Sequence, residues 1–133
     1  MNPTSIPYVQ LSAQWQDERT DLLPIIESVM CSGQLIGGDV VQRFERKAAE
    51  LCGTRYCVSL NSGTDALNFG MMALGVCADD EVITPPNSFI ASTAAIVRLG
   101  AKPVFVDILP DQNIDPNRIE QAITAKTKAI MPV

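Results

Sequence analysis

From residue 39 onward, short β-prone apolar runs alternate with stretches of helical spacing, and the connections between them are short. Tyr56 to Leu60, Glu81-Val82-Ile83-Thr84, Pro103-Val104-Phe105-Val106 and Lys128 to Val133 read as strands. Phe44, Ala48 and Leu51 recur at i, i+4, i+7, and so do Leu67, Met71 and Leu74. Ile90, Ala94 and Val97 mark a third helical face within Phe89 to Leu99. Gly53, Gly75 and Gly100 stand where helices should stop. Asp115-Pro116 should open one more, with the aspartate as cap and proline in the first turn. Helices between strands imply crossover connections. The predicted fold is therefore α/β, a three-layer arrangement of mostly parallel strands with helices on both faces.

In such sheets ligands gather at the carboxyl ends of the strands. Three groups should meet there: Ser62-Gly63-Thr64, Asn87-Ser88-Phe89 and Asp107. The first closes the apolar run at Tyr56 to Leu60 and precedes a helix. Glycine allows a sharp turn at that point. The first amides of the helix have no partner within it, and its dipole favours an anion, most often a phosphate. Ser62 and Thr64 add hydroxyl donors. The same tripeptide can instead do no more than cap the helix. Phe89 by itself reads as a core residue at a helix start. Asp107 reads as a turn-maker.

Ahead of this region, residues 1 to 14 read as an extended arm, with Pro3, Pro7 and an apolar patch at Ile6, Tyr8, Val9 and Leu11. Residues 15 to 31 read as a helix. Pro24 conflicts with that assignment, because proline inside a helix costs ~3 kcal/mol, and a start near Leu23 would resolve the conflict. Ser32 to Gly38 is a loop. Its apolar Leu35 and Ile36, followed by Gly37, should pack on a ligand edge, on another subunit or into their own domain.

The chain has 133 residues, 47% of them apolar and 19% charged, so a packed core is expected. A net charge of −5 without a Lys/Arg cluster argues against nucleic acid or an anionic membrane as partner. No apolar run is long enough to span a bilayer, and no secretory signal is visible. Cys31, Cys52, Cys57 and Cys77 lack Cys-x-x-Cys spacing, and there is no histidine, so no metal site is expected. Reduced and mostly buried cysteines in a cytoplasmic protein are the simplest expectation. No Gly-x-Gly-x-x-Gly follows a strand, which discounts a dinucleotide-binding domain.

The order of several short motifs resembles a known family. Gly37-Gly38-Asp39 and Phe44-Glu45 come first, then Asn61-Ser62-Gly63-Thr64-Asp65-Ala66-Leu67. Asp80-Glu81-Val82-Ile83-Thr84-Pro85 and Ser88-Phe89-Ile90-Ala91-Ser92 follow. Gly100 to Asp107 and Thr127-Lys128-Ala129-Ile130 complete the set. From about Tyr8 onward the chain resembles the DegT-type nucleotide-sugar aminotransferases, a branch of the fold-type I pyridoxal-phosphate enzymes.

That resemblance implies pyridoxal 5'-phosphate as cofactor. Gly63 and Thr64, with Ser62 beside them, would grip its phosphate, and Phe89 would stack on its ring. Leu35, Ile36 and Gly37 would approach the substrate near a subunit interface. Residues 1–38 would form an arm, helix and loop, and residues 39–133 the N-terminal part of the cofactor-binding large domain. The parent enzyme would be a cytoplasmic homodimer serving polysaccharide or antibiotic sugar synthesis. It would move an amino group from an amino-acid donor, often glutamate, to a keto-sugar nucleotide. The alternative within the family is a sugar dehydratase, and the alternative outside it is a non-catalytic module binding a phosphate ligand or a partner. In the family, the aspartate that pairs with the pyridine nitrogen and the Schiff-base lysine lie beyond the matched stretch. Lys47, Lys102, Lys126 and Lys128 match no Schiff-base position, so no catalytic residue is expected in this chain, which alone should not transaminate.

Overall fold

The computed structural model describes residues 6–133. They form two compact units, one ending at Ser59 and the other spanning Leu60–Val133. The first unit holds helices α1 (Leu11–Ser32) and α2 (Gly38–Cys52). Of the expected N-terminal arm, residues 1–5, Pro3 among them, lie outside the described residues. The helix begins at Leu11, earlier than expected, and Pro24 lies inside it. Proline removes one ladder hydrogen bond, and the helix carries that loss across 22 residues. Gly33, left-handed at φ 68°, ends α1, and Gly53 at φ 64° ends α2.

The largest departure from expectation concerns Tyr56 to Leu60. These residues are in no strand. Tyr56, Val58 and Leu60 are exposed, while the Ser59 N–H donates to the Glu45 carboxylate on α2 at 2.8 Å. A β-prone sequence becomes a strand only through a ladder, and among the described residues no other strand pairs with this one. The cysteines also differ from expectation. All four are free, but Cys31, Cys52 and Cys77 are exposed and Cys57 is half-buried. Cys31 and Cys52 sit in the last turns of α1 and α2, where nothing packs over them.

In the second unit α3 (Gly63–Ala73), β1 (Glu81–Thr84), α4 (Ala91–Arg98) and β2 (Lys102–Phe105) follow in order. A 3-10 turn (Pro116–Arg118), α5 (Ile119–Ala122) and β3 (Thr127–Ile130) complete it. The strands are parallel in the order β2-β1-β3. Val82 faces a core of Met71, Val76, Ala95, Ile96 and Ala101 supplied largely by α3 and α4. The next residue, Ile83, faces Val106 and Ile114, with Ile119 and Ala122 of α5 packed alongside. Alternation along β1 thus puts a layer on each face of the sheet, as the α/β reading requires. Asp115 accepts from the Asn117 N–H ahead of Pro116, as expected of a cap. No helix among the described residues is long and apolar enough to cross a membrane.

Glu81 ties the strands together at their amino edge. One carboxylate oxygen lies 3.2 Å from Lys102 Nζ on β2, and the other accepts from the Thr124 hydroxyl at 2.6 Å. The Thr124 hydroxyl, then Lys102, holds the Glu81 carboxyl below the usual glutamate range. A carboxyl that is more acidic when folded contributes stability above its unfolded pKa and loses it as pH falls through the folded value. Chemical denaturation of the parent chain should therefore show stability falling as pH drops below ~4. Glu81→Gln should be less stable at neutral pH and show a shallower acid slope. An unchanged slope would remove Glu81 from this role.

Candidate functional site

The direction of the helices locates the site. Gly75, just past α3, sits beside Lys128 at the start of β3, where an added Cβ would lie 3.9 Å from the Lys128 Cε. Gly100, just past α4, packs against Ala78, and its carbonyl accepts from the Asp79 N–H at the entry to β1. Both helices therefore end at the amino edge of the sheet and run antiparallel to the strands. The 11 residues of α3 span about 16 Å, the eight of α4 about 12 Å and a four-residue strand about 13 Å, so the first turns of α3 and α4 lie at the carboxyl edge.

Ser62-Gly63-Thr64 forms the start of α3. The Ser62 Oγ accepts from the Asp65 N–H at 3.1 Å, and the Ser62 carbonyl accepts from the Ala66 N–H at 3.0 Å. Ser62 is thus a true cap, yet its hydroxyl proton stays available to an outside acceptor. The Gly63 and Thr64 N–H groups head the helix and have no partner among the described residues. Gly63 is not in a left-handed conformation, and a Cβ built there would meet nothing within 4 Å. The local fold does not demand glycine here. What its missing side chain provides is room for another molecule to approach the two free amides. Asp65 adds a carboxylate in the same first turn, so a bound anion must rely on those direct donors rather than on the helix dipole alone.

Phe89 lies at the same edge, in the turn between β1 and α4. It is 78% exposed and packs in neither core of the described residues. Its carbonyl accepts from the Ser92 N–H, and Asn87 Nδ2 approaches Gln112 Oε1 at 3.5 Å across the loop. Asp107 also sits here, after β2. It builds a turn: its carboxylate accepts from the Ile108 N–H and its carbonyl from the Asp115 N–H. Arg118 lies 3.9 Å from the Asp107 carboxylate and 3.3 Å from that of Asp115. In the first unit Leu35 and Ile36 are exposed, Ile36 at 96%, and Gly37 takes φ 67° ahead of α2.

Lys102, Lys126 and Lys128 all lie at the starts of strands, on the edge opposite Ser62-Gly63-Thr64. Sequence reading missed two buried polar residues, Asn68 on α3 and Thr84 at the end of β1. A signal for both was present. Asn68 stands four residues after Thr64 and three before Met71, and Thr84 two after Val82, so each occupies a core-facing position.

Residues 16–133 match the DegT/DnrJ/EryC1/StrS aminotransferase family. The chain belongs to this family. It is 43% identical over 129 residues to the UDP-2-acetamido-2-deoxy-3-oxo-D-glucuronate aminotransferase of Pseudomonas aeruginosa, covering 96% of this chain and 36% of that protein. It superposes with a TM-score of 0.90 on DesV of S. venezuelae, solved in complex with a ketimine intermediate. Identity there is 37%, with 96% of this chain and 34% of that one covered. NtdA of Bacillus subtilis, solved with bound cofactor PMP, also gives 0.90 at 36% identity, covering 99% and 31%. The chain of this DegT-family protein thus spans about a third of the length of the relatives it matches.

The cap geometry can be tested apart from any ligand. Ser62→Ala should cost about 1 kcal/mol in denaturant unfolding, while Thr64→Ala, which removes no cap, should cost less. Equal losses would contradict Ser62 as the cap.

Proposed function

We propose that this chain supplies the phosphate-holding part of a pyridoxal-phosphate-dependent aminotransferase acting on a keto-sugar nucleotide with an amino-acid donor. One observation carries the reading. Two unpartnered amides, at Gly63 and Thr64, open onto a space left by a glycine that its own backbone does not need, at the sheet edge where Phe89 also stands exposed. These residues fit the cofactor. Gly63 and Thr64 N–H, with the Ser62 and Thr64 hydroxyls, supply donors for a phosphate dianion, and charge-assisted bonds of this kind are the strong ones. Phe89 offers a flat apolar face for a flat ring. When bound, the cofactor supplies the electron sink for moving the amino group. The residues of this chain bind and orient it.

The same reading assigns residues 39–133 to the start of the cofactor-binding domain. It also leaves the Schiff-base lysine outside this chain, because the lysines at the sheet sit at the opposite edge. A cytoplasmic homodimer completes the proposal. The exposed Leu35 and Ile36 ahead of Gly37, with Phe44 and Leu51 of α2, are apolar groups of the kind that interfaces or substrates cover.

A pyridoxal-phosphate titration of the chain, read by absorbance and fluorescence, tests the cup. Binding should be competed by inorganic phosphate and leave no borohydride-reducible lysine adduct. Gly63→Val should weaken it at least about tenfold by filling the space before the amides. Folded chain that binds no cofactor, or a Gly63→Val variant that binds as the parent does, would contradict the assignment.

A further inference from the structure

Four polar or charged residues are buried among the described residues: Asn68, Glu81, Thr84 and Ser92. Glu81 is satisfied at the amino edge. The other three lie toward the carboxyl edge, one each on α3, β1 and α4. Their placement follows from the core beneath them. Met71 of α3, Val82 of β1 and Ala95 of α4 belong to one cluster. Asn68 precedes Met71 by three residues, about 4.5 Å along a helix that runs against the strands. Thr84 follows Val82 by two residues on the same face, about 6.6 Å along the strand. Ser92 precedes Ala95 by three. All three steps point the same way, toward the carboxyl edge. Asn68 lies in the second turn of α3, Thr84 at the end of β1 and Ser92 in the first turn of α4, so the apolar core gives way to a roof of polar side chains on that side. Thr64 stands one helical turn above Asn68, on the same face.

Two of these roof atoms are unsatisfied. Asn68 is 6% exposed and its Oδ1 has no hydrogen-bond partner; Thr84 is fully buried and its Oγ1 has none. Each such group costs free energy that two apolar residues would avoid. Packing alone gives no reason for them.

We propose that Asn68 and Thr84 form the floor of the anion cup and share one ordered water that contacts the bound phosphate. The inference rests on the phosphate cup proposed above. The Thr84 hydroxyl donates to the water oxygen. The water donates one proton to Asn68 Oδ1 and the other to a phosphate oxygen. This arrangement satisfies both orphan atoms, gives the water three partners and adds a donor to the cup from below. Asn68 and Thr84 are then positioning residues, acting on the anion through the water.

The test uses inorganic phosphate as probe, with affinity from calorimetry and the thermal midpoint of the phosphate-free chain measured in parallel. Thr84→Val keeps shape and removes an unpaired hydroxyl. It should be no less stable than the parent without phosphate, yet bind phosphate about fivefold more weakly. Asn68→Leu should show a similar loss of affinity, and the double variant should lose no more than either single one, because both residues hold the same water. Thr84→Val carries the test even if Asn68→Leu does not fold. If the parent binds phosphate and Gly63→Val abolishes this while Thr84→Val binds normally, the floor is overturned and the cup stands. Additive losses in a folded double variant would overturn the shared water. A folded parent that binds no phosphate would overturn the cup and the floor with it.

Discussion

Both faces of β1 are buried, and this constraint sets the layout of the second unit. Val82 and Ile83 point into different cores, and each core needs its own cover. Parallel neighbours can be reached only by returning along the sheet. The helix α4 makes that return from β1 to β2, and the 3-10 turn with α5 makes it from β2 to β3. The helix α3 leads into β1, and α3 and α4 both run antiparallel to the strands. Their N-termini therefore converge on the carboxyl edge. The free amides at Gly63 and Thr64, the exposed ring of Phe89 and the polar roof of Asn68, Thr84 and Ser92 all arise at that convergence. The site is thus a by-product of how a parallel sheet is covered, refined by the residues at the helix starts.

The layers were legible in the sequence because periodicity reports burial. Val82 and Ile83 are adjacent β-branched residues in a short segment between the turn Asp79-Asp80 and Pro85-Pro86, and Leu67 and Met71 keep helical spacing, so strand and helix were told apart without reference to anything distant. Glu81 to Thr84 was placed to the residue. Tyr56 to Leu60 shows the limit of that logic. Its composition suits a strand, but a ladder needs a second strand, and pairing is a non-local property that local pattern does not encode. Pro24 shows the converse: a strong local breaker was overridden by the helical turns on either side of it.

The candidate site was partly legible for the same reasons. Ser62-Gly63-Thr64 announced a helix start, and the structure adds what sequence could not show, that Gly63 is free of backbone strain and faces open space. Phe89 was ambiguous between core and surface in the sequence, and among the described residues it is exposed. Asn68 and Thr84 were passed over because each is an ordinary polar residue in a short element. Their unsatisfied atoms become visible only once burial is known. The exposed apolar residues of α2 and of the loop before it, Phe44, Leu51, Leu35 and Ile36, are legible as apolar in the sequence, but their exposure is visible only in the structure.

The central claim is that the first amides of α3 receive a phosphate. Backbone amide chemical shifts report this directly. Titrating the ¹⁵N-labelled chain with inorganic phosphate should shift the Gly63 and Thr64 N–H resonances strongly and saturably, while amides at the amino edge, such as Gly75 and Gly100, stay in place. Unshifted Gly63 and Thr64 resonances in a folded chain, or shifts spread evenly over both edges of the sheet, would contradict it.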